Sequence, residues 1–212
     1  NAAWTSEQMG DAAQAITYYQ KAYDAKPSKD FLFALVALQK QGGQYEAALA
    51  TLKGFLEKNP SDMEIQYAVV ETHTEMGNVE AALTEASEIL LNDNSDITVY
   101  RLLSRVFYKN NQYDMSLLCA EKANEMLVNI AKEKGQPEKK DAGILNNMGV
   151  TYLAMQDEPS AIGLFQEAIG LEPNHLESNL NLGFIALNSG NYQFALEKFE
   201  AALVTAPTHM EA

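Results

Sequence analysis

Small residues recur along this chain on a nearly fixed beat, each set among apolar residues at helical spacing. Ala15, Ala48, Ala82 and Ser116 are separated by 33, 34 and 34 residues, and after one interruption the beat resumes at Ala161 and Ala195, again 34 apart. Residues 142–175 and 176–209 show the unit most clearly. Each has an apolar stripe, a polar break (Gln156-Asp157 or Ser189-Gly190-Asn191), a second stripe, then Pro173 or Pro207. Residues three and four apart share one side of a helix, and Pro ends the unit because it cannot continue a helix and restricts the residue before it. A fixed period of this length predicts stacked helix pairs, none able to bury its apolar face alone. The expected fold is all-α, without strands.

Gly149 and Gly183 fall mid-helix, where Gly costs up to about 1 kcal/mol against Ala. Recurring in register, they predict a close helix–helix approach at which a Cβ would clash. Ala161 and Ala195 serve the same purpose from the second helix, with Phe165 and Phe199 filling the groove and Ala168 and Ala202 one turn on. This pattern resembles the tetratricopeptide repeat (TPR), a 34-residue antiparallel helix pair. Residues 29–62 carry Leu35, Gly43-Gln44-Tyr45, Ala48, Leu52, Phe55 and Pro60. Residues 63–96 carry Val69, Gly77-Asn78-Val79, Ala82, Ala86 and Ile89, with Asn94 in place of Pro. Residues 97–141 carry Leu103, Ser104, Asn111-Gln112-Tyr113, Ser116 and Ala123. The resemblance implies a right-handed α-solenoid of about six repeats in a single array over residues 1–212. The first repeat, residues 1–28, is incomplete and marked by Gly10, Ala15, Tyr19, Ala22 and Pro27.

Departures from the pattern add expectations. Val36 and Val70 replace the small first-helix residue, which predicts looser packing there. Ser116 to Ala161 spans 45 residues, 11 beyond the period, or about three helical turns. Asn124–Lys134 is helix-compatible and Gly135-Gln136-Pro137 is a stop signal, so the second helix of that unit is expected to run long and turn near Pro137. After Pro207 no polar capping helix follows. An uncapped end exposes an apolar face, which predicts further repeats or self-association through the carboxy end. The opening Asn-Ala-Ala-Trp lacks an initiator Met, as expected of a piece of a longer protein.

The charge balance narrows the partners. Formal net charge is −14, from 29 acidic and 15 basic residues. Such a chain lacks the basic footprint that nucleic acid requires and is disfavoured at anionic lipid surfaces. No run of apolar residues approaches a membrane span, so no direct membrane insertion is expected of this segment. Cys119 is the only cysteine, which excludes an internal disulfide and leaves the compartment open between cytoplasm and a bacterial periplasm or envelope.

In the resembled family, first helices of successive repeats line a concave groove. That implies a face carrying Phe33, Ala37 and Lys40, then Tyr67, Glu71 and Glu75, then Arg101, Arg105, Tyr108 and Lys109. It continues with Asn146, Val150 and Leu153, and with Leu180, Phe184 and Asn188. Arg101 and Arg105 are the only arginines. They stand four apart with Lys109 four further on, so the three share a side, and Arg presents a planar fork of donors suited to carboxylate or phosphate. The bland alternative is a solvated helix face paired with Glu71 or Glu75. Some relatives grip a peptide's carboxylates with a Lys/Asn/Arg clamp, which Arg101, Arg105 and Asn147 imitate in part. Glu177 and Asn181 stand where two further bases would complete it, so a full clamp is not expected. Lys132, Lys134, Lys139 and Lys140 crowd the insert as a solvated helix end or a secondary docking site.

No catalytic constellation emerges. His73 is expected as a core or rim residue, and His175 and His209 as echoes of the repeat rather than a metal pair. Without a second Cys or an HExxH motif no zinc site is expected. Cys119 is expected buried as a small hydrophobe. Asn92-Asp93-Asn94-Ser95-Asp96 lacks the Gly and distal Glu of a calcium loop and reads as a helix end followed by an Asp96 cap. No phosphate-cradling loop or nucleophile elbow is present. The expectation is a non-catalytic protein-interaction scaffold, without cofactor or metal. It would take a protein or peptide segment bearing acidic groups or a free carboxy terminus, anchored by Tyr67, Tyr108 and Phe184 and received by Arg101, Arg105 and Lys109. The alternatives are a structural spacer of a bacterial envelope assembly, since the bulk character resembles TPR scaffolds of secretion and gliding-motility machines, or a regulatory repeat region of a larger protein.

Overall fold

A computed structural model describes residues 12–205. Gly10, Pro207, His209 and the first helix expected of the incomplete repeat lie outside these residues. Among the described residues the chain forms eleven α-helices and no strand: α1 (Ala12–Ala25), α2 (Lys29–Gln41), α3 (Tyr45–Leu56), α4 (Met63–Met76), α5 (Val79–Asn92), α6 (Ile97–Lys109), α7 (Tyr113–Glu133), α8 (Ala142–Ala154), α9 (Glu158–Leu171), α10 (Leu176–Asn188) and α11 (Tyr192–Thr205). They fall into two compact units, one ending at Asn92 and one beginning at Asp93. Within each, every helix packs on the next in sequence, and in the carboxy-terminal unit α8 also touches α6 and α10.

Local chemistry sets the helix ends with the period of the sequence. Side chains of Ser28, Asp62, Asp96, Asp141 and His175 cap the first helix of successive pairs by accepting from a backbone N–H in the first turn. Such a cap satisfies a donor that helix geometry leaves orphaned. The turn inside each pair carries one residue in the left-handed region, at Gly43, Gly77, Asn111, Gln156 and Gly190. Each is followed by a bond closing the helix end, for example Asp157 N–H to Tyr152 C=O at 2.9 Å, the Schellman arrangement. Gln156 does this without glycine, at φ 64°, so the turn bears some backbone strain there.

The glycine expectation is realised as a ring seated on the helix backbone. A Cβ on Gly149 would lie 2.5 Å from Phe165 Cε1, and one on Gly183 2.5 Å from Phe199 Cε1. Where Val36 and Val70 replace Gly, Leu52 and Ala86 replace Phe in the same register, and all four are buried. Bulk added on one helix is offset by a smaller residue on its partner, and the two helices still approach each other less closely than in the glycine pairs, in line with the looser packing expected at the two valines. The cores are correspondingly small and local. Leu32, Val36, Ala48, Leu49, Leu52, Ile65 and Val69 form one across α2, α3 and α4. Ala161, Phe165 and Leu182 form another across α9 and α10.

The insert behaves largely as expected. Helix α7 runs 21 residues against 12 for α3. It closes at Lys134 and Gly135, with Gln136 N–H donating to Ala131 C=O at 2.8 Å. The turn therefore precedes Pro137, which lies in the irregular run leading to Asp141. Ala131 is buried and Leu127 packs against Ala120, Ala123 and Ile144, which anchors the extension.

Candidate partner-binding cleft in the carboxy-terminal unit

Helix α6 buries Val99, Leu102, Leu103 and Val106, which turns Arg101, Arg105 and Tyr108 toward the opposite side. Because α8 packs beside α6 and α10 beside α8, three first helices together shape a cleft. Arg101, Arg105, Gly143, Asn146, Asn147, His175 and Glu177 line its 390 Å³ mouth. A smaller recess of 30 Å³ is lined by Ser104, Arg105, Tyr108, Ser116, Asn147, Val150 and Thr151. Arg105 and Asn147 border both spaces.

The cleft walls are held by specific contacts. Arg101 Nη1 lies 3.6 Å from Asp141 Oδ2, while Asp141 Oδ1 caps α8 through Ile144 N–H at 2.9 Å. A Cβ on Gly143 would come within 3.0 Å of Arg101 Nη2, so Gly leaves room for the guanidinium over the first turn of α8. The half-exposed Arg101–Asp141 pair contributes about 0–1 kcal/mol; its value lies in positioning. Asn146 is buried, and its Oδ1 accepts from Ser178 Oγ at 3.1 Å and from Asn181 Nδ2 at 3.0 Å. His175 Nδ1 lies 2.9 Å from Ser178 Oγ and 3.3 Å from the Ser178 backbone nitrogen, which leaves Nε2 facing Glu177 Oε2 at 3.7 Å.

Three hydroxyls behind the small recess form a directed chain. Thr151 Oγ1 donates to Asn147 C=O at 2.8 Å. A hydroxyl carries one proton, so in its 3.1 Å contact with Ser116 the Thr151 oxygen must accept, and Ser116 in turn accepts from Ser104 at 3.2 Å. The chain crosses α6, α7 and α8 and satisfies polar groups that would be costly to bury alone.

Of the other expected binding residues, Tyr108 borders the small recess and the rest are not among those lining either space. Lys109 is exposed at the end of α6. Tyr108 leans on Tyr113, with ring centroids 6.0 Å apart. Phe184 is 55% exposed on α10 and meets Phe199 edge-on at 5.2 Å, but lines neither space. Tyr67 and Glu71 belong to α4 of the amino-terminal unit and are half-buried there. Glu75 of the same helix pairs with Lys40 at 2.9 Å. Gly143 joins the site without having stood out in the sequence, and His175, expected only as an echo of the repeat, joins it as well; both flank first-helix starts in the repeat register. Leu187, Tyr192, Leu196 and Val204 leave apolar surface exposed on α10 and α11.

The residues weighed for chemistry are placed as follows. His73 is 7% exposed and neither ring nitrogen has a hydrogen-bond partner. Burial and then the Lys53 ammonium hold it below its ordinary value, against the opposing pull of Glu85 and Glu46. Cys119 is buried, and that burial pushes its thiol up to about 11. Asp96 is the cap expected of it, accepting from Thr98 and Val99 N–H at 2.9 and 3.2 Å. Lys132, Lys134 and Lys139 are exposed, whereas Lys140 pairs with Glu167 on α9. Among the described residues no group of three or more His, Cys, Asp or Glu side chains could hold a metal ion, and no helix is long and apolar enough to cross a membrane.

Models of the tetratricopeptide repeat match residues 1–29, 40–106 and 146–209. The chain belongs to the tetratricopeptide repeat family. Among curated proteins it is 24% identical over 203 residues to Protein O-mannosyl-transferase TMTC1 of Homo sapiens, covering 94% of this chain and 22% of that protein. To BBSome complex member BBS4 of Bos taurus it is 25% identical over 198 residues, covering 92% of this chain and 36% of that protein. The TPR chain thus spans well under half the length of either relative. Among solved structures it matches TTC0263, a thermophilic TPR protein of Thermus thermophilus, with a TM-score of 0.62 at 21% identity over 87% of this chain and 94% of that one. At that identity the likeness concerns the fold.

Proposed function

We propose that this chain is a non-catalytic protein-interaction scaffold whose carboxy-terminal unit receives a peptide segment in the cleft between α6, α8 and α10. Arg101 and Arg105 take an acidic side chain or a free carboxy terminus, and Asn147, which borders both spaces, pairs with the peptide backbone. Tyr108 supplies an apolar wall with a polar tip, and Lys109 and Phe184 lie further out on the same helices. The single observation that carries the reading is the convergence of both arginines and Asn147 on one cleft of 390 Å³, in a chain of net charge −14. A local basic wall in an acidic protein favours an anionic group there above other places on the surface. Membership in a repeat family that stacks helix pairs into extended surfaces supports the same reading, as does the curated relative described as a member of a complex.

The test is a fluorescence-polarisation screen of a peptide library with free carboxy termini, repeated with the Arg101→Glu/Arg105→Glu variant at matched helicity and melting. Hydrogen bonds to charged groups contribute about 1.5–3 kcal/mol, so peptides that bind are expected to lose about tenfold to a hundredfold in affinity. Unchanged affinities would remove the cleft from the function.

A further inference from the structure

The cleft is not uniformly basic, and its second wall narrows the ligand. Glu177 lines the same space as Arg101 and Arg105, its side chain 62% exposed. An acidic residue in the first turn of α10 is favoured by the helix dipole, which accounts for a Glu at this place in the helix. It does not remove the consequence for a ligand. A peptide carrying two neighbouring carboxylates would place one against the arginines and drive the other toward Glu177. On the α10 wall Asn181 is an amide that donates to Asn146, and the one ring there, His175, already faces Glu177 itself. His175 stands beside Glu177 at this wall. With His175 Nδ1 engaged by Ser178, the Nε2 edge of the ring lies 3.7 Å from the Glu177 carboxylate.

We infer that the cleft selects a peptide of mixed charge, with a carboxylate on the α6 arginines and a lysine or arginine side chain on Glu177. This rests on the reading of the cleft as a peptide site and names the chemistry of its partner. In an extended segment alternate side chains point to one face, roughly 7 Å apart. One acidic and one basic residue two positions apart can therefore address both walls while the intervening residue turns to solvent. Asn147, which lines the cleft, offers an amide donor and acceptor to the backbone between them.

Three short fluorescein-labelled peptides in a Gly/Ser background test this at low salt by fluorescence polarisation. One carries a glutamate and a lysine two positions apart, one carries two glutamates at those places, and one carries two glutamines. Because Glu177 is well exposed, its contribution is that of a surface pair, so the mixed peptide should bind wild type about threefold to fivefold more tightly than the di-acidic one. Glu177→Gln should abolish that preference and Glu177→Lys should reverse it, with unchanged circular dichroism and melting. Arg105→Gln should weaken both glutamate-bearing peptides and spare the one with two glutamines. If the di-acidic peptide binds wild type as well as the mixed one, or the preference survives Glu177→Lys, the inference falls. A retained loss in Arg105→Gln would then leave the peptide site itself standing. If none of the three peptides binds, the peptide site and the inference fall together.

Discussion

Replacing Gly149 with Ala puts a methyl group 2.5 Å from Phe165 Cε1 and 2.9 Å from Cδ1 and Cζ. Ordinary carbon–carbon contact is about 3.5–4.0 Å, so roughly an ångström must be recovered. The neighbour cannot simply swing away, because Phe165 is 0% exposed and packed with Ala161 and Leu182. Either α8 lifts from α9 or the ring leaves its rotamer, which costs about 1–3 kcal/mol for overpacking a core. Ala also gains about 0.8–1 kcal/mol over Gly in a helix interior. The net expectation is a destabilisation of about 1 kcal/mol, too small to interpret without a reference. Gly163, within α9, provides one, since nothing lies within 4 Å of a Cβ added there. Gly163→Ala should stabilise by the propensity gain alone, so the two variants should differ by about 1–3 kcal/mol. Urea unfolding followed by circular dichroism, with m-values compared, measures that difference. Gly149→Ala/Phe165→Leu should recover stability beyond the sum of its parts, because Val36 with Leu52 is the arrangement the chain itself uses in another repeat. The reasoning is refuted if Gly149→Ala stabilises as much as Gly163→Ala.

Ser116→Ala should cost about 1–3 kcal/mol in urea unfolding, since Ser104 and Thr151 lose the oxygen between them. In Ser104→Ala/Ser116→Ala the two losses should be less than additive, and simple additivity would mean that the hydroxyls act separately. His73 couples stability to pH. Its folded-state value lies below the ordinary 6.5, so the unfolded chain takes up a proton first as pH falls. Stability should therefore decline as pH drops through about 6.5 toward the lower folded value, and level off above it. His73→Leu should flatten the dependence of Tm on pH between about 7 and 5. An unchanged slope would place the effect in other groups.

Much of this architecture is local and was therefore legible. Helix, break, helix and stop each depend on residues within a few positions, so a period of 34 in the sequence became a period of 34 in caps and left-handed turns. Asp96 was visible as a cap because capping needs one oxygen within reach of the next turn. The same regularity exposed the 11-residue excess, and α7 lengthened as expected. The candidate site was legible in part: Arg101, Arg105 and Asn147 do share a cleft, while Tyr67 and Glu71 lie in the other unit and Phe184 lines neither space. Gly143 gave no signal and His175 read only as an echo of the repeat, because a cap residue and a first-turn glycine look alike whether or not a guanidinium lies beside them.

By itself the chain determined that it is a series of helix pairs, where each begins and ends, and which residues face inward, because hydrophobic period, caps and turn residues act over short range. Only the tertiary structure decided how bulk is shared across each pair, with Phe165 seated on Gly149 but Leu52 matched to Val36. It also decided which polar side chains meet in one cleft. That meeting depends on the packing of α8 between α6 and α10, which brings Arg101 and Glu177 to a common space from distant points in the chain. Such proximity has no signature in local spacing.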